Sequence, residues 1–229
     1  MAILYPDKLP GEVLKDPKRS AEIKVYKALR DQLDDQFHVY YSSPWLGTRP
    51  DGSEVEGEAD FVVAHSEKGV LTVEVKGGIV EIDKDGLWAS TDRHRIRRRI
   101  KNPVAQARTC KHQILKQLQQ SNLWKTRFIS VSHGVVLPDS AKPSKDFRPD
   151  MPLKLFAFDE DMRFLDHWVD SRMLIGDREY KPLGEDGLYA LRSIRTDPVR
   201  LRVRLGTHIE DDLNAIRYRT DDQLSLIHI

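Results

Sequence analysis

Two short apolar runs joined by a tight turn constrain the fold of this chain more than any other feature. Residues 59–65 (ADFVVAH) and 70–76 (VLTVEVK) have the composition of strands, and Gly69 can adopt the positive φ that the intervening turn requires. In the resulting hairpin Asp60 faces Glu74, to within one residue of register. Directly opposed side chains project from one face, with Cβ atoms about 5 Å apart. The hairpin therefore predicts two neighbouring carboxylates at its open end.

Two carboxylates at this separation indicate a metal site. They repel each other, and a divalent cation between them removes the repulsion. Magnesium suits the arrangement, since it is held by one or two carboxylates together with waters and phosphate oxygens. Lys76, two residues after Glu74, points to the same face and could position or activate a water. The alternative is a plain exposed salt bridge between Glu74 and Lys76 on a wet strand face.

The two faces of the second strand differ in character. Leu71, Val73 and Val75 form an apolar face that is expected to pack on the core. The other face starts apolar and ends charged, as a strand does when it runs into a cleft.

Two helices are predicted to flank this hairpin, each opened by a capping residue and a proline. The first begins at Asp16-Pro17 and carries Glu22 on an otherwise apolar stripe, so that Glu22 lies either at a polar cleft or at the stripe's edge. The second begins at Asn102-Pro103 and has Gln106 in its first turns. There Gln106 could donate to a phosphate or to a water, although a surface glutamine is an equal alternative.

The remaining pattern completes a mixed fold. Further strands are predicted at residues 37–43, 79–83, 128–137 and 153–158, a loop at 44–57 and a short helix at 159–169. This order predicts an α/β or α+β fold, with a mixed central sheet flanked by helices. Residues 1–195 are expected to form one domain and 196–229 a C-terminal extension, with a strand at 199–205 and a helix at 209–219.

Composition is that of a soluble globular protein, with 39% hydrophobic and 32% charged residues. No stretch approaches the roughly 18 apolar residues of a membrane span, and the N-terminus lacks the regions of a signal peptide. Cys110 is the single cysteine, which excludes an internal disulfide and a cysteine zinc cluster. We expect a cytoplasmic protein without a membrane partner.

The formal net charge is +1, but one segment is densely basic. A local basic strip on a neutral protein suggests a bounded anionic contact, such as a phosphate backbone. A solvated surface loop is the alternative. The candidate nucleic-acid-binding residues of this basic strip are Arg93, Arg95, Arg97, Arg98, Arg99 and Lys101.

The order of these motifs resembles the PD-(D/E)xK nuclease superfamily: a helical Glu, an Asp at the head of a strand, and E-x-K at the end of the next strand. The closer resemblance is to its nuclease-related domain, NERD. The matching pieces are SAEIKVYKAL (20–29), EGEADFVVAHSEKGVLTVEVKGG (56–78) and NPVAQARTCKHQI (102–114). The resemblance covers roughly residues 18–137.

This resemblance implies a restriction-endonuclease-like core and Mg²⁺-dependent hydrolysis of phosphodiester bonds, with Mn²⁺ able to substitute and DNA the expected substrate. It puts Glu22 in the helical acid position and Asp60, Glu74 and Lys76 in the catalytic core. Asp60 and Glu74, with the Val75 carbonyl, are then the expected metal ligands. Gln106 falls at the glutamine that follows the Asn-Pro of the family's later helix, and the basic strip would touch the nucleic-acid backbone near the cut.

Two questions stay open at the level of sequence. Residues 220–223 (TDDQ) resemble the segment that precedes the nucleotide-binding core of superfamily 1 helicases, to which NERD domains are often fused. The extension is therefore either a linker to a helicase domain or a simple tail. The alternatives to a nuclease are a catalytically silent nucleic-acid docking module and a structural domain with solvated acids.

Overall fold

The computed structural model describes residues 1–48, 54–122, 129–173 and 182–196, which all belong to one compact unit, Met1–Thr196. The strand predicted at 199–205, the helix predicted at 209–219 and the helicase-like segment 220–223 lie outside the described residues. The domain boundary near residue 195 stays a prediction.

The described part of the chain contains both strands and helices. The strands are β1 (Ile3–Tyr5), β2 (Phe37–Thr48), β3 (Glu54–His65), β4 (Gly69–Val75), β5 (Ile79–Ile82), β6 (Trp88–Thr91), β7 (Arg97–Arg99), β8 (Val131–Val136) and β9 (Phe156–Ala157). The α-helices are α1 (Gly11–Lys15), α2 (Ser20–Gln32), α3 (Pro103–Gln120), α4 (Leu165–Met173) and α5 (Gly184–Thr196).

Six strands form a mixed central sheet in the order β1-β2-β3-β4-β8-β9. The β2–β3 and β3–β4 pairs are antiparallel, whereas β1–β2, β4–β8 and β8–β9 are parallel, with α3 in the crossover from β4 to β8. A second, antiparallel sheet contains β5, β6 and β7. This is the predicted mixed α/β fold with a helix-flanked sheet, and it is restriction-endonuclease-like.

Helices cover both faces of the central sheet. On one face Leu71 of β4 packs in a core with residues of α2 and α4, such as Val25 and Val169. On the other face Val70 packs with α3 and α5, including Ile114 and Leu191. Every residue of β4 is consequently buried. The helix α3 covers the apolar start of the second face, at Val70 and Thr72, and the cleft predicted at its charged end stays a prediction.

The β3–β4 hairpin has the predicted register. Phe61 pairs with Val73, so the next pair outward would be Asp60 with Glu74. Gly69 has φ of +99° at the turn, where an added Cβ would lie 2.2 Å from the Ser130 carbonyl oxygen. A side chain at this position is therefore excluded by both conformation and space.

Asn102 and Asp16 both cap the segments that follow them, but only Asn102 caps an α-helix. Asn102 Oδ1 accepts from the backbone N–H of Val104 and Ala105, at 3.0 and 3.1 Å, and α3 begins at Pro103. Asp16 caps a 3₁₀ turn instead, accepting from Lys18 N at 2.9 Å, and α2 begins only at Ser20.

Several predicted boundaries were wrong. The predicted loop at 44–57 is largely strand, because β2 and β3 continue their pairing from Ser43–Ala59 out to Thr48–Glu54 despite a composition rich in turn formers. Residues 153–155 form a 3₁₀ turn after Pro152, which leaves only Phe156–Ala157 as strand. The helix predicted at 159–169 is a 3₁₀ turn at Glu160–Phe164 followed by α4.

Candidate active site

Asp60 lies at a break in both ladders of β3. The β2–β3 pairing passes from Tyr41–Phe61 to Ser43–Ala59 and omits Ser42 and Asp60, while the β3–β4 ladder ends at Phe61–Val73. Ser42 has φ of 52°, a conformation uncommon for a residue other than glycine. Asp60 Oδ2 accepts from Val75 N at 2.7 Å. The Asp60 carboxylate thus takes the place of a strand partner at the end of β4.

Glu74 and Lys76 form an ion pair at the same strand end. Glu74 is 2% exposed, and its Oε1 accepts from Lys76 Nζ. Lys76 is tied to β8 through its backbone N–H, which donates to the Val136 carbonyl at 3.1 Å. The burial of Glu74 excludes the alternative of a fully solvated surface salt bridge.

Burial makes the two carboxyl groups difficult to ionise together. Burial, followed by repulsion from Glu74, raises the pKa of Asp60 to about 8, although the Val75 N–H and Lys76 act in the opposite direction. Burial also raises the pKa of Glu74, against the lowering effect of Lys76 beside it. A pair of this kind either retains a proton near neutral pH or requires further positive charge.

Glu22 reaches the site from α2, on the opposite face of the sheet. Its Oε2 accepts from Tyr41 Oη at 2.6 Å and from Arg19 Nη1 at 3.0 Å, and Arg19 Nη1 also donates to Tyr41 Oη at 2.8 Å. Repulsion from Glu22 contributes to the raised pKa of both Asp60 and Glu74. Glu22 therefore lies in a polar cluster that belongs electrostatically to the site.

The Gly77-Gly78 pair explains how α2 comes this close. An added Cβ at Gly77 would lie 2.9 Å from the Cβ of Ala21, the residue before Glu22. The N–H of Gly78 donates to Asp139 Oδ2 at 2.9 Å, and Asp139 also forms an ion pair with Lys24 of α2. The absence of a side chain at position 77 thus sets the distance between α2 and the end of β4.

Gln106 lies on α3, the helix that covers the Glu74 face. Thr72 Oγ1 donates to the Ala107 carbonyl at 2.9 Å and holds this part of α3 against β4. Gln106 Oε1 is buried and has no hydrogen-bond partner in the described part of the chain. No hydrogen bond joins Gln106 to Asp60, Glu74 or Lys76 there. It therefore offers a free acceptor beside the site, rather than a direct contact with the acids.

The basic strip forms part of the second sheet instead of a loop. Arg97, Arg98 and Arg99 are β7, and all three are exposed. Arg98 is paired with Ser90, whose hydroxyl donates to the Gly77 carbonyl at 2.6 Å, so Arg98 shares the face that meets the site. Arg97 lies on the other face, in an ion pair with Glu81.

The other members of the basic strip flank β7 and are also exposed. Arg93 and Arg95 lie in the turn before it, where Asp92 accepts from two backbone N–H groups, and Lys101 precedes the cap of α3. Their contact with nucleic acid stays a prediction.

Sequence reasoning missed four residues that shape the site. Arg19 and Tyr41 hold Glu22, Asp139 orders the glycine pair, and Ser42 lies at the strained position opposite Asp60. Only Arg19 had a local signal, since its i,i+3 spacing from Glu22 on a helix favours an ion pair. The other three act across long separations in sequence.

The donor set fits a hard divalent cation. Two carboxylates and a backbone carbonyl at Val75 offer only oxygen, and Mg²⁺ is commonly held by one or two carboxylates, with waters completing its shell. Within the described ranges no group of three or more His, Cys, Asp or Glu side chains is arranged to hold a metal. The predicted ligands Asp60, Glu74 and Val75 therefore suit a site that relies on water and substrate for its remaining ligands.

A helix-flanked mixed sheet with an acid–acid–Lys set at the end of its hairpin defines a nuclease-related, restriction-endonuclease-like domain. The model of the nuclease-related domain family, NERD, matches residues 17–138, more than half of the chain, and the chain belongs to that family. No curated protein and no solved structure matches the chain. Across the described residues, no helix is long and apolar enough to cross a membrane.

Proposed function

We propose that this chain is a metal-dependent nuclease that hydrolyses phosphodiester bonds in DNA, with Mg²⁺ as its cofactor and Mn²⁺ as a substitute. The observation that carries the proposal is the half-buried Asp60 and the buried Glu74 at the end of one hairpin, with Lys76 beside them. A nuclease-related family membership supports the same reaction class.

The energetic argument starts from the burial of these acids. A buried carboxylate destabilises the folded state unless a partner compensates its charge. Lys76 forms an ion pair with Glu74, while burial and repulsion from Glu74 raise the pKa of Asp60, which supports a need for further positive charge. A cation-binding role explains an arrangement that is otherwise unfavourable for folding.

Each residue then has a distinct task. Bound at Asp60 and Glu74, Mg²⁺ would polarise the scissile phosphate and lower the pKa of a water. The Lys76 side chain is 22% exposed and can orient the attacking water and offset developing negative charge. Glu22 has both its bonds on Oε2, which leaves Oε1 free to accept from a water, among the residues the structure describes.

Two further parts of the proposal rest on sequence. Residues 220–223 support an association with a helicase domain, either in the same polypeptide or in a separate protein. Cys110 is the single cysteine of the sequence, which excludes a disulfide within the chain and suits a reducing compartment, and we place the activity in the cytoplasm.

The proposal is tested by incubating plasmid, linear duplex and single-stranded DNA with the protein in Mg²⁺, Mn²⁺ or EDTA. We expect metal-dependent cleavage by the wild type and a loss of at least about a hundredfold in Asp60→Ala and Lys76→Ala. Asp35→Ala is the matched control, because Asp35 is an exposed acid in the turn before β2, at the opposite end of the sheet.

The contrary result would be equally informative. A folded wild type that binds DNA but cleaves none of these substrates in any metal would replace the nuclease with a docking module. Cleavage retained in Lys76→Ala would remove that lysine from the mechanism.

A further inference from the structure

A cavity of about 360 Å³ lies beside the candidate active site. Its walls come from the end of β1, the middle of β2 and the last turn of α5, and include Tyr5, Tyr40 and Arg195. None of these three residues takes part in the proposed chemistry. The cavity is therefore available for a separate role.

The cavity and the catalytic carboxylates share one end of the central sheet. Tyr5 of β1 pairs with Tyr40 of β2, and the next two residues of β2 reach the site. Tyr41, which lines the cavity, donates its hydroxyl to Glu22, and Ser42, which also lines it, lies opposite Asp60 in β3. A nucleic-acid strand that extends from the scissile phosphate along this end of the sheet would reach the cavity within the width of two neighbouring β-strands.

Arg195 gives the cavity a cation that lacks a counterion. Its Nη1 donates to the Pro44 carbonyl at 2.9 Å and its Nη2 to Gln117 Oε1, both neutral groups. Its Nε is buried without a partner, and no carboxylate pairs with Arg195 anywhere in the described ranges. Burial lowers the pKa of Arg195. A guanidinium in this situation suits an anionic ligand, because phosphate oxygens can act as acceptors for its planar set of N–H groups.

Tyr40 presents a second polar group in need of a partner. The residue is 2% exposed, and its hydroxyl forms no hydrogen bond within the part of the chain that the structure describes. The remaining wall is aromatic and apolar: the rings of Tyr5 and Tyr40 stack at 4.8 Å, and Pro6, Pro44 and Ile194 complete the lining. The part of the cavity wall at Arg195 and Tyr40 is thus cationic and hydrogen-bonding, and the rest of the wall suits a planar ring.

Size restricts the ligand further. Small-molecule sites span roughly 300–1,000 Å³, so this cavity holds a ligand at the small end of that range. One nucleotide has this size, carries an anionic phosphate, and has a planar base with hydrogen-bonding edges. A base paired within a duplex cannot enter.

We propose that this cavity binds one unpaired nucleotide of the substrate strand, with its base against the Tyr5–Pro6 wall and its phosphate at Arg195. The inference rests on the proposed nuclease function and names its substrate class: single strands, or duplex ends with unpaired nucleotides, in preference to intact duplex.

The test measures binding rather than cleavage, in EDTA, by fluorescence anisotropy. The probes are a labelled thymidine oligonucleotide and a blunt duplex of equal length. We expect Arg195→Met to weaken single-strand binding roughly tenfold relative to duplex binding. Arg163→Met is the matched control, since Arg163 is an exposed arginine of the 3₁₀ turn before α4 and lies outside the cavity. Thymidine monophosphate should compete with the strand, whereas inorganic phosphate should not.

Two further variants separate ligand binding from folding. Tyr40→Phe removes a hydroxyl without a partner, so it should keep the melting temperature and lower single-strand affinity severalfold. Ile194→Trp fills the cavity and should abolish the preference for single strands. Equal loss of single-strand and duplex binding, no loss in any variant, or competition by inorganic phosphate alone would each overturn the inference.

These outcomes are distinguishable from failure of the proposed function. A protein that binds single strands through the cavity but never cleaves them retains the nucleotide site and loses the nuclease. A protein that cleaves DNA while all cavity variants behave as wild type retains the nuclease and loses the site.

Discussion

Asp60 has a structural role in the sheet and an electrostatic role in the candidate site. Its Oδ2 replaces a missing strand partner by accepting from Val75 N, and its charge is the least favourable in the site because it lies buried beside Glu74. Structure and chemistry therefore depend on the same carboxyl group. A substitution that keeps the acceptor but removes the charge separates the two roles.

The contribution of Asp60 to the stability of the metal-free protein should decrease as pH rises from about 4 to about 8. In this window the unfolded chain has released the Asp60 proton, whereas the folded state, with a pKa of about 8, retains it. At this group the folded state therefore binds more protons, and its contribution to the free energy of unfolding decreases with rising pH. Asp60→Asn keeps an acceptor for Val75 N and should flatten this part of the profile and stabilise the protein at pH 8.

Thermal melts in EDTA across this pH range, with wild type and Asp60→Asn side by side, check the prediction. Asp35→Ala, at an exposed acid, should follow the wild-type profile. A difference in melting temperature between wild type and Asp60→Asn that stays constant from pH 5 to pH 8 would contradict the burial argument for Asp60.

At the scale of elements, the approach of α2 to the end of β4 decides whether Glu22 belongs to the site. Gly77→Ala places a Cβ 2.9 Å from Ala21, so α2 must shift. We expect the free energy of unfolding to fall by about 1–3 kcal/mol, the usual cost of overpacking a core. The cleavage rate should fall by more than the fraction of folded protein does. The double variant Gly77→Ala/Ala21→Gly removes the close contact and should recover part of the cleavage.

Gly11→Ala is the matched control for this change, since an added Cβ at Gly11 meets nothing within 4 Å. Cleavage rates and melting temperatures of the three variants are measured together. If Gly77→Ala cleaves like the wild type, the position of α2 does not matter for catalysis and Glu22 loses its assigned role.

Elements built from local signals were predictable from the sequence. The hairpin register followed from a short turn with Gly69, and the start of α3 followed from Asn102 and Pro103, since both depend on neighbours in the chain. The pairing of residues 44–48 with 54–58 was hidden, because Pro44 and several glycines indicate a loop, and only the extended β2–β3 ladder overrides that preference.

The site was predictable to a similar extent. The opposition of Asp60 and Glu74 is a consequence of register and could be derived. The burial of Glu74 could not, because it depends on α3 crossing over β4. The contact of Tyr41 with Glu22 could not be derived either, because it joins residues of two different elements, β2 and α2, through tertiary packing. Sequence thus identified the acids and left out the residues that hold them.

At the scale of the whole molecule, a metal and protons should compete for the same buried carboxyl groups. A cation that binds only the folded state raises its stability by about 2.7 kcal/mol at a hundredfold excess over Kd. At pH 8 the Asp60 proton is half released, so metal binding has to displace only about half a proton. At pH 5.5 the metal must displace that proton first, and its stabilising effect should shrink.

Melts with Mg²⁺ or Mn²⁺ at both pH values should therefore show a rise of several degrees at pH 8 and a smaller rise at pH 5.5 in the wild type. Asp60→Asn should show neither rise, and Asp35→Ala should show both. This linkage follows from burial of the acids in the folded unit and needs no nucleic acid, so it isolates the metal site from the cleavage reaction. A wild type whose melting temperature ignores both metals at pH 8 would leave Asp60 and Glu74 as structural acids, and the domain would then act by binding rather than by hydrolysis.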